Sequence, residues 1–126
     1  MYFKLKQEEV KLEQVQVPGS RDAFIQWLAT RERGSTRYAV RKFTVKPDGI
    51  IAMHKHPYEE AVYVINGEAK VCVGERKEDI RQGELIYISG GEPHSFFNHS
   101  KNELEFICII PYIEDMTITP VSGDCV

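Results

Sequence analysis

The sequence predicts an all-β fold, a sandwich or a barrel, and three observations carry that reading. Turn signals recur at short intervals: Pro18-Gly19-Ser20, Gly34-Ser35, Pro47-Asp48-Gly49, Asn66-Gly67 and Gly90-Gly91. The runs between them are short and rich in β-branched and aromatic residues, so 38–45, 61–65, 69–73, 85–88 and 104–110 read as strands. A chain of 126 residues buries one hydrophobic core and is too short for two, which makes residues 1–126 a single domain.

Within residues 1–20, Val10, Leu12, Val15 and Val17 suit edge strands of an N-terminal arm. Residues 20–34 can be read in two ways. Ser20 and Gly34 suit helix caps, with Phe24, Trp27, Leu28 and Arg31 at helical spacing, yet Phe24-Ile25-Gln26-Trp27-Leu28 is equally strand-like. In 38–45, Lys42 and Thr44 are expected to face outward and Arg41 and Phe43 inward. Asn66-Gly67 predicts a type I′ hairpin over 62–71. In the last strand Leu104, Phe106, Cys108 and Ile110 alternate with polar Glu103 and Glu105, so the even-numbered set points into the core.

Hydrophobic residues at 42% and charged residues at 28% are ordinary for a soluble domain. A net charge of -3 offers no broad basic field, so neither nucleic acid nor an anionic membrane surface is expected as a partner. Cys72, Cys108 and Cys125 are odd in number and form no C-x-x-C pair, which argues against a disulfide framework and for a reducing compartment. The start of the chain lacks the apolar run of a signal peptide, and no stretch approaches a membrane span. These readings together predict a cytoplasmic protein.

Chemistry concentrates in two segments. Three of the four histidines lie in His54-Lys55-His56-Pro57-Tyr58-Glu59-Glu60 and His94-Ser95-Phe96-Phe97-Asn98. Alternate side chains of a strand share a face, so His54 and His56 can grip one ion. Glu60 shares their parity and opens a strand whose Val62 and Val64 face inward, whereas Glu59 reads as solvated or as a partner of a ligand histidine. His99 reads as a surface residue. Three imidazoles and one carboxylate suit a divalent first-row metal, but donor types alone do not choose among manganese, iron, nickel, copper and zinc.

The stretch from Gly49 to Gly67 resembles the first cupin motif, and Gly83-Glu84-Leu85-Ile86-Tyr87-Ile88-Ser89-Gly90-Gly91-Glu92-Pro93-His94, closing with Asn98, is similar to the second. The resemblance covers about residues 37–111 and is nearest to small single-domain cupins. It implies a double-stranded β-helix, the jelly-roll barrel, and places the metal ligands on His54, His56, Glu60 and His94. It also implies a strand before 38–45, which decides residues 20–34 in favour of strand, and a homodimer in which the arm crosses to the second subunit. Among the metals it ranks manganese and iron first, then nickel or zinc. Two departures touch no ligand: Asp48 replaces the usual glycine six positions before His54, and Ser89 stands where proline is frequent.

Around such a metal the expected lining is Trp27, Tyr38, Phe43, Phe96, Phe106 and Ile110, with Arg41, Tyr58, Tyr87 and Cys108 as polar candidates. An inward Arg41 needs an anion, from Glu84, another internal carboxylate or a substrate; the alternative is an outward surface pair. Cys108 is either a thiol near the metal or inert core. The leading expectation is a metal-dependent oxidoreductase of dioxygenase type acting on a small oxygenated organic molecule. The alternatives are an isomerase or lyase in which Tyr58 or Glu59 moves a proton, and a non-catalytic small-molecule binding or sensing module.

Overall fold

The computed structural model describes every residue except Asp124 and Val126. Ten strands follow in chain order: β1 (Glu13–Gln14), β2 (Arg21–Ala29), β3 (Tyr38–Lys55), β4 (Glu60–Asn66), β5 (Glu68–Val73), β6 (Arg76–Arg81), β7 (Leu85–Ile88), β8 (His94–Phe97), β9 (Leu104–Pro111) and β10 (Thr119–Pro120). Single 3-10 turns stand at Gln7–Glu9 and Arg31–Arg33. All pairings are antiparallel, and the order β6-β5-β8-β3-β9-β4-β7 forms a nearly closed jelly-roll barrel, with β2 and β10 also on β3 and β1 on β2. No helix among the described residues is long and apolar enough to cross a membrane.

The long strand β3 joins the two walls. Its first half, through Val45, runs between β2 and β9, and its second half, from Ile50, runs beside β8 and β10. The bend between them falls where Asp48 adopts φ 66, a left-handed conformation that Asp tolerates better than most residues. A side chain at Gly49 would stand 2.7 Å from the Asp22 carbonyl, so the glycine is required by close approach. The turn chemistry of Asp48-Gly49 therefore does its work inside a strand.

Asn66-Gly67 corrects the hairpin expectation. β4 pairs with β7 and β9, while β5 pairs with β6 and β8, so β4 and β5 are not partners. Gly67 takes φ +84 and packs against the Glu103 backbone, making a corner at which the chain passes from one wall to the other. The tight hairpin lies one strand later, where Val73 faces Arg76 across Gly74-Glu75 and Gly74 has φ +59. Residues 20–34 form strand β2 followed by one 3-10 turn, closed at Gly34 in the left-handed region.

The core fills the space between the walls. Leu104, Phe106, Cys108 and Ile110 are all buried, as their alternation requires, and Phe106 stacks with Phe43 and Phe96 at 4.9 Å each. Arg41 and Phe43 are on the inner face and buried. Lys42 is buried as well, although its strand position points it the other way; it pairs with Glu105 at 2.6 Å and lines a depression together with Gln7 and Val10 of the arm.

Within this single chain the arm packs on its own barrel. Glu13 and Gln14 pair with Ile25 and Phe24 of the same chain, and Gln26 Nε2 donates to the Gln7 and Val10 carbonyls at 3.0 Å each. Backbone carbonyls near Gln26 satisfy a buried amide, which gives the arm its place.

The cysteine reading is corrected outright. Cys72 on β5 and Cys125 form a disulfide across a sequence separation of 53, with Cα atoms 5.7 Å apart. Spacing along the chain carried no information here, because the C-terminal segment returns along β3 beside Met53, Phe97 and Val121. The odd count and the absence of C-x-x-C therefore lend no weight to a reducing compartment. Cys108 is a free, buried thiol.

Candidate metal centre

Strand parity and one loop bring the two histidine segments together. His54 lies near the end of β3, His56 just beyond it, Glu60 opens β4 and His94 opens β8, with His54 and His94 directly opposite in the ladder. All four side chains are buried. Candidate ligand atoms of His54, His56 and His94 lie within 4.8 Å of one another. Glu60 Oε1 is 2.9 Å from His56 Nε2 and 2.7 Å from His94 Nε2.

Each imidazole is fixed by the backbone. Nδ1 of His54, His56 and His94 lies 2.7 Å from the carbonyl of Ala52, Tyr58 and Glu92 respectively. A carbonyl only accepts, so Nδ1 carries a proton, and in the neutral imidazole Nε2 then holds the lone pair that an ion would use. His94 Nε2 is close to Glu60 Oε1 but out of line for a hydrogen bond, and it is left buried without a hydrogen-bond partner. Three Nε2 lone pairs and a carboxylate converging in a closed space, one of them orphaned, is the arrangement a divalent metal ion satisfies. The residues present fit that group.

The electrostatics agree. Burial acts to raise the Glu60 pKa, but the closeness of His56 and His94 to Oε1 and the charge of Arg41 hold it well below the usual carboxylate range, so Glu60 is ionised. Burial, with the nearby His94, lowers His54 to about 4 and keeps it neutral. Burial acts to lower His94 too, yet the adjacent Glu60 raises it.

Behind the carboxylate runs a short relay. Burial pushes the Cys108 thiol well up from its ordinary value, so the sulfur stays protonated. It donates to Glu60 Oε2 at 3.0 Å and accepts from Arg41 Nη2 at 2.9 Å. Arg41 keeps its charge: burial opposes it, but Cys108 and Glu60 outweigh that. Of the two expectations for Cys108, a thiol beside the site and inert core, the geometry matches the first: it is a hydrogen-bonded link behind a candidate ligand.

The cluster opens on a cavity of about 600 Å³, lined by Trp27, Phe43, Phe96, Phe106 and Ile110 together with Arg41 and Tyr58. Its lining also includes arm residues 13–18 and Met116, Ile118 and Pro120 of the C-terminal segment. Tyr58 stacks on His56 at 3.8 Å, and burial raises its pKa to about 12, so its phenol can donate a proton but is a poor base near neutrality. Three expected residues fall elsewhere. Tyr38 is exposed, at the start of β3. Tyr87 is exposed and donates to Glu59 Oε2 at 2.6 Å, which also removes Glu59 from the cavity as a proton carrier. Glu84 accepts from the Arg81 amide and is not Arg41's partner. His99 is exposed, as expected. The sequence reading missed Met116, Ile118 and Pro120; apart from a lone Ile118 among polar neighbours, nothing in the local pattern marked a wall.

A jelly-roll barrel with three buried histidines and an ionised glutamate meeting at the foot of an apolar cavity defines a cupin-type protein with a candidate metal site. Residues 41–110, more than half of the chain, match the family model for the cupin domain, and the chain belongs to that family. Over its whole length the fold is similar to the polyketide cyclase RemF from Streptomyces resistomycificus, with a TM-score of 0.89, 28% identity and coverage of 98% of this chain and 88% of that one. Among curated proteins it is similar to an oxalate-binding protein from Thermotoga maritima, 29% identical over 70 residues, which is 55% of this chain and 58% of the relative. A mannose-1-phosphate guanylyltransferase from Sinorhizobium fredii is 29% identical over 72 residues, and the match spans only 14% of that protein.

Proposed function

We propose that this cupin is a metal-dependent enzyme acting on an extended, largely apolar oxygenated organic molecule, by non-redox lyase or cyclase chemistry. The observation that carries the reading is the cavity of about 600 Å³ ending on the His54, His56, Glu60 and His94 cluster, a volume suited to a multi-ring substrate. A divalent ion held there supplies Lewis acidity toward a substrate oxygen. The chain itself does the rest. Trp27, Phe43, Phe96 and Phe106 bind the apolar body and exclude water, Arg41 offers positive charge, and the Tyr58 phenol, protonated near neutral pH, is placed to donate a proton. Similarity to a polyketide cyclase across nearly the whole fold supports this class above redox chemistry. The second reading, a dioxygenase-like oxidoreductase with manganese or iron, keeps the same ligands; a non-catalytic binding module is the third.

The deciding experiment is metal analysis of protein purified without added metal, followed by incubation with linear polyketone substrates with and without oxygen. Product formed equally without oxygen supports the proposal; strict oxygen dependence replaces it with the dioxygenase reading. His94→Ala should lower metal affinity by at least about 100-fold, beyond the usual effect of losing a mere supporting residue. Protons compete with metal for neutral imidazoles, and His94, with its raised pKa, competes before His54, which stays neutral down to about 4. Metal affinity should therefore fall as pH drops below about 6.5, the ordinary histidine value, and a flat profile between pH 8 and pH 5 would sink histidine ligation.

We also propose a homodimer. Tyr63, Ile65, Leu85, Tyr87 and Ile109 are exposed on one outer face of β4, β7 and β9, where Tyr63 faces Leu85 in register, and this apolar patch supports self-association. Leu85→Glu should halve the mass seen by light scattering; an unchanged mass places any interface elsewhere.

A further inference from the structure

The cavity contains a cation that no carboxylate contacts directly among the described residues. Arg41 is only 7% exposed, lines the cavity, and makes no ion pair among the described residues. One of its N–H groups is used on Cys108, and Nε is buried with no partner at all. Its guanidinium carbon lies 5.4 Å from the Trp27 ring centre and 5.0 Å from that of Phe43. Glu60 is the carboxylate nearest in charge terms, but its oxygens are taken by His56 and Cys108. A lone buried guanidinium is expensive, and a fold keeps one where an anion arrives to meet it.

We propose that Arg41 is the specificity-determining residue of this cavity and that its ligand is an aromatic carboxylate. The carboxylate meets the guanidinium fork, and the ring system lies along Trp27, Phe43 and Phe106. The charge count points the same way. Glu60 and Arg41 balance one another, so any divalent ion at the histidines leaves two positive charges uncompensated in a closed, apolar space. A neutral hydrocarbon ligand would leave that imbalance in place; a carboxylate reduces it. Ring contact is favoured because Trp27, Phe43 and Phe106 line the same cavity as the guanidinium. The inference narrows the substrate class of the proposed enzyme and so rests on that reading for its functional meaning, although the binding claim can be tested without turnover.

The probes are 1-hydroxy-2-naphthoate and its neutral counterpart 1-hydroxy-2-naphthamide. Both are titrated by calorimetry and by quenching of Trp27, the single tryptophan, into metal-free and manganese-loaded protein. The naphthoate should bind at least about tenfold more tightly than the amide, the margin expected of a charge-assisted pair in a dry site. Arg41→Gln should erase that difference, and Arg41→Lys, which keeps the charge but loses the planar fork, should retain part of it. Equal affinities in the wild-type protein, no saturable naphthoate binding, or a preference that survives Arg41→Gln would each overturn the proposal. The wild-type comparison of the two probes stands even where a variant fails to fold. Arg41-dependent preference in a protein that takes up no metal would leave this inference intact and defeat the metal reading; metal uptake with no preference would do the reverse.

Discussion

The foot of the cavity and its mouth are built in different ways. At the foot, His54, Glu60 and His94 sit on strands β3, β4 and β8, paired to their neighbours residue by residue, and three imidazoles are each fixed by a backbone carbonyl at 2.7 Å. At the mouth, residues 13–18 and 116–120 are held by the two-residue strands β1 and β10 and by one covalent tether, Cys72–Cys125. The donor geometry is thus a property of the barrel, whereas the cavity wall is a property of two chain ends. The C-terminal segment meets the foot where Pro120 of β10 faces His54 in register and the Val121 amide donates to the Met53 carbonyl at 3.1 Å.

Breaking the tether tests that contrast with the largest effect. Reduction by a dithiol, or Cys125→Ala, should cost about 2–4 kcal/mol of stability, the usual range for a disulfide closing a long loop. It should also speed amide exchange at Val121 while protection at Phe96 and Phe106, in the barrel core, falls only as far as global stability does. Val121 exchange that does not change on reduction would mean that the wall stands without the tether, and the contrast between foot and mouth would collapse.

What was legible in the sequence follows that division. Runs rich in β-branched and aromatic residues identified β4, β5, β7, β9 and the first half of β3, the family resemblance decided β2, and the parity of Leu104, Phe106, Cys108 and Ile110 was right because one face of that strand is wholly buried. Glu60 was separable from Glu59 for the same reason, since a one-residue shift moves a carboxylate to the opposite face. β6 was not legible: Arg76–Arg81 buries only Ile80, and its charges suit a sheet edge rather than a core. Asn66-Gly67 misled because a glycine needed for a corner between walls looks the same as one needed for a hairpin. The C-terminal wall and its disulfide depend on where the chain returns after β9, which no local pattern encodes. Arg41's inward direction was readable, but its link to Glu60 through Cys108 required three strands to be seen together.

Cys108 gives the finest test of the foot. Its thiol fills a fully buried space and joins Arg41 to Glu60, so the question is whether it only packs or also steers the carboxylate. Cys108→Ala should cost on the order of 1 kcal/mol, a small side chain's worth of packing, because the neighbouring cavity can offer water to the freed Arg41 donor. Steering should appear separately, as a loss of metal affinity of roughly tenfold, the low end of what removing a partner of a metal ligand does. Cys108→Ser keeps a donor and an acceptor at the same atom and should restore most of that affinity while leaving the packing loss. Both variants are measured by thermal melting and by competition for manganese against a chelator. Should the alanine and serine forms hold metal equally well, Glu60 needs no help from behind, and its position follows from β4 and the two histidines alone.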